Sequence, residues 1–186
     1  MSHYTVSVIH ERGQGVDELL APYDENKRVE PYVRYSRQEA IDYVRSNFVG
    51  YHEKSDDECW EFMANEYEWR VDSDGNIYST YNPKSKWDWF QIGGRFSGNI
   101  PLKNGSWANE AKIKNIDMAA ENEDGEVFMS YAVVLPDGSW HAPGEVGWFG
   151  FSTESESDYE KWINEFEDRF IKPNMDLILT LVDCHI

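Results

Sequence analysis

Apolar and polar residues alternate from Tyr4 to Ile9, which predicts a half-buried strand near the start of the chain. The next periodic stretch is helical. Ser36-x-x-Glu39 is a capping box, Ile41, Val44 and Phe48 recur on one face behind it, and Gly50 marks the stop. Ser55-x-x-Glu58 opens a second helix with Trp60, Met63 and Tyr67 at helical spacing. Asp74-Gly75 and Asp137-Gly138 are hairpin turns between β-prone runs, Tyr131 to Leu135 leading into the second. From Ser155 to Lys172 the spacing predicts the strongest helix. Its apolar stripe is Tyr159, Trp162, Ile163, Phe166 and Phe170, Ser157-x-x-Glu160 caps it, and Pro173 follows its end. Leu177 to Val182 is an apolar run suited to a buried strand.

A chain that begins and ends in apolar strands, with helices and hairpins between, points to an α+β fold. The expectation is one domain over residues 1–186: a single largely antiparallel sheet, helices packed on one face, and the N- and C-terminal strands central neighbours. No internal repeat or low-complexity linker interrupts it.

Composition narrows the function classes. Aromatics make up 15% of 186 residues, too many for an acidic disordered tail. Two cysteines, Cys59 and Cys184, supply neither a disulfide framework nor a cysteine-rich zinc site. The first residues lack the basic and apolar regions of a signal peptide, and no apolar run is long enough to span a bilayer. Cys184 lies too near the end for a prenylation box. The expected address is the cytoplasm, with no membrane partner.

The net charge of −18 argues against direct binding to nucleic acid, which needs Lys and Arg in quantity. It suits either a solvated surface or one that mimics nucleic acid and fills a basic groove in a nuclease. The charge is uneven. Lys84 to Lys114 holds six basic residues against two acidic ones, and Lys27 to Arg45 holds five against three, so the remainder carries −24.

The larger basic island contains the chain's most unusual segment, Tyr81-Asn-Pro-Lys-Ser-Lys-Trp-Asp-Trp-Phe-Gln-Ile-Gly-Gly-Arg-Phe96. Strand alternation would put Trp87 and Trp89 on one face, with Asp88 and Phe90 on the other. Aromatic planes beside Lys86, Arg95 and the amides of Gly93 and Gly94 suit a planar ring carrying phosphates: the rings stack and the cations neutralise. The competing reading is a bulged hairpin whose tryptophans are core and whose arginine is a structural ion pair.

The run Asn82-Pro-x-Ser-Lys-Trp-Asp-Trp-Phe-x-Ile-Gly-Gly-Arg-Phe96 resembles a family of small phage and prophage proteins of unassigned activity. The likeness extends to Pro22–Asn26 with Val29–Tyr32, to Gly144-Glu-Val-Gly-Trp148, and to the ending Val182-Asp-Cys-His-Ile186. It implies a viral setting in an infected host cell, where small accessory proteins often counter host defences. It carries over no functional residue.

Asp183-Cys184-His185 also invites chemistry. On a strand, Asp183 and His185 share a face and Cys184 points the other way, so a dyad of Cys184 with its neighbour is geometrically poor. Asp183 and His185 could relay a proton or bind a metal, with His3 joining if the terminal strands pair. Gly13-x-Gly15 lacks the third glycine of a dinucleotide fingerprint, and Asp72-Ser-Asp74-Gly75 lacks the ligand pattern of a calcium loop. No cofactor or metal is expected. The leading expectation is a phage counter-defence protein that binds, without turnover, a nucleotide-like small ligand through Lys86, Trp87, Trp89, Gly93, Gly94 and Arg95. Its alternatives are an acidic nucleic-acid mimic that inhibits a host nuclease or other DNA-binding enzyme, its partner then being a host defence protein, and a nucleotide phosphodiesterase or hydrolase using Asp183 and His185.

Overall fold

The computed structural model describes residues 2–66, 70–144 and 155–186. Tyr67 and residues 145–148 of the Gly144 motif lie outside them. In chain order the first elements are β1 (His3–His10), α1 (Val16–Leu20), β2 (Tyr32–Tyr35), α2 (Arg37–Asn47) and α3 (Asp56–Glu66). There follow β3 (Arg70–Val71), β4 (Ile77–Ser79), β5 (Trp89–Ile92), β6 (Ile100–Pro101), β7 (Trp107–Ala108) and β8 (Glu110–Lys112). The chain finishes with β9 (Ala132–Val134), β10 (Trp140–His141), α4 (Glu156–Phe166) and β11 (Ile178–His185).

Two compact units result, one from Met1–Lys27 with Pro83–Ile186, the other Arg28–Asn82. In the first, six strands form a sheet of order β10-β9-β1-β11-β5, with β8 pairing the other half of β11. β1 and β11 are antiparallel along their full eight residues, His3 opposite His185 and His10 opposite Ile178. They are the central pair.

The expected single antiparallel sheet is corrected on two counts. β1 pairs β9 in parallel, so the main sheet is mixed, and the remaining strands form two further sheets, β2-β4-β3 and β6-β7. Nor is only one face covered. Ile9, Leu179, Leu181 and Val133 pack under Trp162, Phe166, Phe170 and Ile171 on one side, while Val6, Val8, Val182 and Cys184 pack with Leu19, Leu20 and Trp87 on the other. The physical reason is that β1 and β11 are buried nearly throughout. A strand flanked on both edges and apolar on both faces needs two covers.

α4 is capped by Ser155 and Asp158, each bonding back to the other's backbone, two residues earlier than the Ser157 box. A π-helical turn over Glu167–Ile171 follows, and it brings both Phe170 and Ile171 inward. Tyr159 and Ile163 lie out in solvent, so the buried stripe is narrower than the pattern predicts. In the Arg28–Asn82 unit the Ser36 and Ser55 caps form as read, and α2 and α3 close on Ala40, Ile41, Val44, Cys59, Met63 and Ile77.

Candidate functional site

Alternation along β1, β11 and β5 sets polar residues on one end of one sheet face. Cross-strand register places His3, His185 and Trp89 in one row and Thr5, Asp183 and Gln91 in the next. This is the end of the face away from the apolar residues beneath α4.

Two histidine–carboxylate pairs form there. Nδ1 of His3 lies 2.8 Å from Oδ1 of Asp183, and Nδ1 of His185 lies 2.6 Å from Oδ1 of Asp88. An ionised carboxylate only accepts, so each Nδ1 carries a hydrogen. The neutral ring then has its lone pair on Nε2, and neither Nε2 bonds to a described residue. The rings are neighbours, with centroids 5.0 Å apart and planes 72° apart. Trp89 lies almost flat on His185, with centroids 5.2 Å apart and planes 17° apart, and meets His3 edge-on. The side chains of His3 and His185 are 11% and 7% exposed, Asp183 2%, and Trp89 as a whole 42%. The rings are thus enclosed, with the indole at the rim.

The backbone explains why the carboxylates stay put. Asp88 donates its N–H to the carbonyl of His185 while its side chain holds the ring, a two-point clamp. Asp183 accepts from His3 on one oxygen and from the backbone N–H of Arg95, 2.9 Å away, on the other. Gly94 makes that second bond possible. Its φ is +51°, and a Cβ there would stand 2.5 Å from Cβ and Oδ2 of Asp183. Only a residue without a side chain lets the chain wrap this closely.

The sequence-predicted ligand residues divide. Trp89 touches both histidine rings, and Gly94 with the backbone N–H of Arg95 wraps Asp183, while the Arg95 side chain is exposed and Gly93 faces Asn109. Trp87 does not face the same way as Trp89. It is 7% exposed, donates Nε1–H to the carbonyl of Leu20 and packs edge-on against Phe90 on the opposite side of the sheet. Lys86 is anchored there too, its N–H on Tyr23 and its carbonyl accepting from the Tyr4 hydroxyl. The reason is that β5 begins only at Trp89. Residues 86–88 form irregular backbone bridged to Asp24, so strand alternation does not run through Trp87. Gly93 gives its N–H to the carbonyl of Leu181, so that amide is committed to the fold.

Asp183 and His185 share a face as expected, yet each is bonded to a different partner. His3 enters through the terminal-strand pairing. Asp88 went unanticipated, because a strand reading assigns it to the other face. Cys184 points away from the site into the core, where burial pushes its thiol up. Among the described residues no three of His, Cys, Asp and Glu converge as a metal-binding set. None of the helices among the described residues is long and apolar enough to cross a membrane. No protein-family model matches the chain, and no curated protein or solved structure does so at a significant level.

Proposed function

We propose that this face binds a small nucleotide-like anion, with Trp89 stacking its base and the His3–His185 pair, aided by Arg95, receiving its phosphate. The carrying observation is the pair of histidines, each oriented by its own carboxylate and each with an Nε2 that bonds to no described residue, beneath a half-exposed indole. Orientation by the buried Asp183 and the half-buried Asp88 means the rings need no reordering when an anion arrives, which favours affinity. A protonated imidazole adds charge-assisted hydrogen bonds to phosphate oxygens. Stacking on Trp89 is worth about 1–3 kcal/mol per base. The strongly acidic chain disfavours long polyanions, so the ligand is a mono- or dinucleotide and not a polymer.

A thermal-shift screen tests this reading. Cyclic dinucleotides, ADP-ribose derivatives and NAD are added to wild type, Trp89→Ala and Arg95→Ala. A ligand that binds only the folded chain raises Tm. The expected result is a concentration-dependent rise in wild type that Trp89→Ala abolishes and Arg95→Ala weakens. Flat melting curves across the whole set would refute the reading.

A further inference from the structure

Two side-by-side rings whose Nε2 atoms bond to no described residue offer more than a grip on phosphate. We infer that His3 and His185 act as a general base and a general acid that cleave a ribose-linked phosphodiester through its own 2′-hydroxyl. The substrate class is a small ribonucleotide, and the inference rests on the binding reading above.

The geometry supplies each part. Both Nδ1 atoms are fixed on carboxylates, so each ring presents one defined working atom, Nε2, as a lone pair when neutral and as N–H when protonated. The rings come from adjacent strands, stand nearly perpendicular and have centroids 5.0 Å apart, close enough for both to reach one bound group. The pair is also asymmetric. Trp89 lies flat against His185 but meets His3 only with an edge. A π-face suits a cationic ring, which assigns His185 as the acid and His3 as the base. Asp88 and Asp183 act through the rings as positioning residues.

Among the described residues neither nearby candidate is set up as a nucleophile: Cys184 faces the core, and the Thr5 hydroxyl accepts from the N–H of Tyr131. A ribonucleotide brings its own. Nε2 of His3 takes the proton of the 2′-hydroxyl and the O2′–P bond forms. The P–O5′ bond breaks, and Nε2–H of His185 protonates the departing O5′. The products are a 2′,3′-cyclic phosphate and a free 5′-hydroxyl. One ring ends protonated and the other neutral, and exchange with water restores the start.

The experiment follows binding and turnover separately on the full chain. Adenylyl-(3′→5′)-adenosine, cyclic di-AMP and their 2′-deoxy counterparts are incubated with wild type, and products are resolved by liquid chromatography with mass detection. Melting shifts are recorded on the same samples. The expected result is a 2′,3′-cyclic phosphate from a ribose substrate and none from its deoxy counterpart, although both raise Tm. His3→Gln and His185→Gln should each lower kcat by at least about 100-fold. Asp88→Asn should lower kcat while leaving KM in place. Melting shifts without any product would overturn the acid–base pair and leave the binding reading standing. Absence of both shift and product would sink the two together. Cleavage of the deoxy substrates would overturn the 2′-hydroxyl route. That comparison needs only wild type, so it holds even if a histidine variant fails to fold.

Discussion

Replacing Gly94 with Ala asks whether the close wrap around Asp183 holds the site together. The new methyl carbon would stand 2.5 Å from both Cβ and Oδ2 of Asp183, a side chain only 2% exposed and tied to His3 and to the N–H of Arg95. Two costs combine. A non-glycine residue at this left-handed φ costs about 1–2 kcal/mol. Displacing Asp183 far enough to clear the methyl breaks at least one hydrogen bond to a charged acceptor, about 1.5–3 kcal/mol. The expected destabilisation is about 3–5 kcal/mol. With a urea slope of about 2 kcal/mol per molar, the midpoint should fall by about 1.5–2.5 M in equilibrium unfolding followed by circular dichroism. Gly98→Ala is the control, since Gly98 has φ +78° but no atom within 4 Å of a built Cβ. It should show the backbone cost alone, about 1–2 kcal/mol. Equal midpoints for the two variants would refute the crowding argument and with it the view that Gly94 exists for Asp183.

Trp162→Ala should cost about 3–5 kcal/mol in the same assay, because the ring is 4% exposed and its Nε1–H serves the carbonyl of Ser130, whereas Ile163→Ala should fall within about 0.5 kcal/mol. The Glu58 carboxyl, held down to about 2 by the Lys54 ammonium and then by Ser55, should titrate at that value by carbon NMR, and Lys54→Met should move it up toward 4.5. Because the folded value is the lower one, the stabilisation from this cap is fully present above pH 4.5 and is lost as pH falls toward 2. Ellman's reagent should leave Cys184 unmodified in the native protein and label it in denaturant, since the thiol is buried and its ionisation suppressed; rapid native labelling would place it at the surface.

Local signals in the sequence found their elements. The Ser36 and Ser55 boxes, the two Asp-Gly turns and the alternation of β1 all depend on residues within a few positions of one another. What escaped was long-range. The parallel seat of β9 beside β1, and the sharing of β11 between β5 and β8, leave no local trace. Tyr159 and Ile163 read as core because a wide stripe and a narrow one look alike until the π-turn shifts the last residues inward. At the site, Asp183 and His185 were legible by alternation, and His3 only if β1 met β11. Asp88 and Trp87 were misplaced by one cause: the tryptophan motif was taken as a strand two residues before β5 begins.

The His3–Asp183 contact joins positions 180 residues apart. Loop-closure entropy grows as the logarithm of chain length, so bringing such distant positions together costs about 2.5 kcal/mol more than closing a ten-residue turn. Strand pairs of this separation are slow to form, and their cost falls before their contacts can repay it. The pairing that creates the histidine pair is therefore the same event that closes the central sheet. A chain whose helices and hairpins form before this pairing would have no site, so ligand binding during refolding should lag behind the recovery of helical signal.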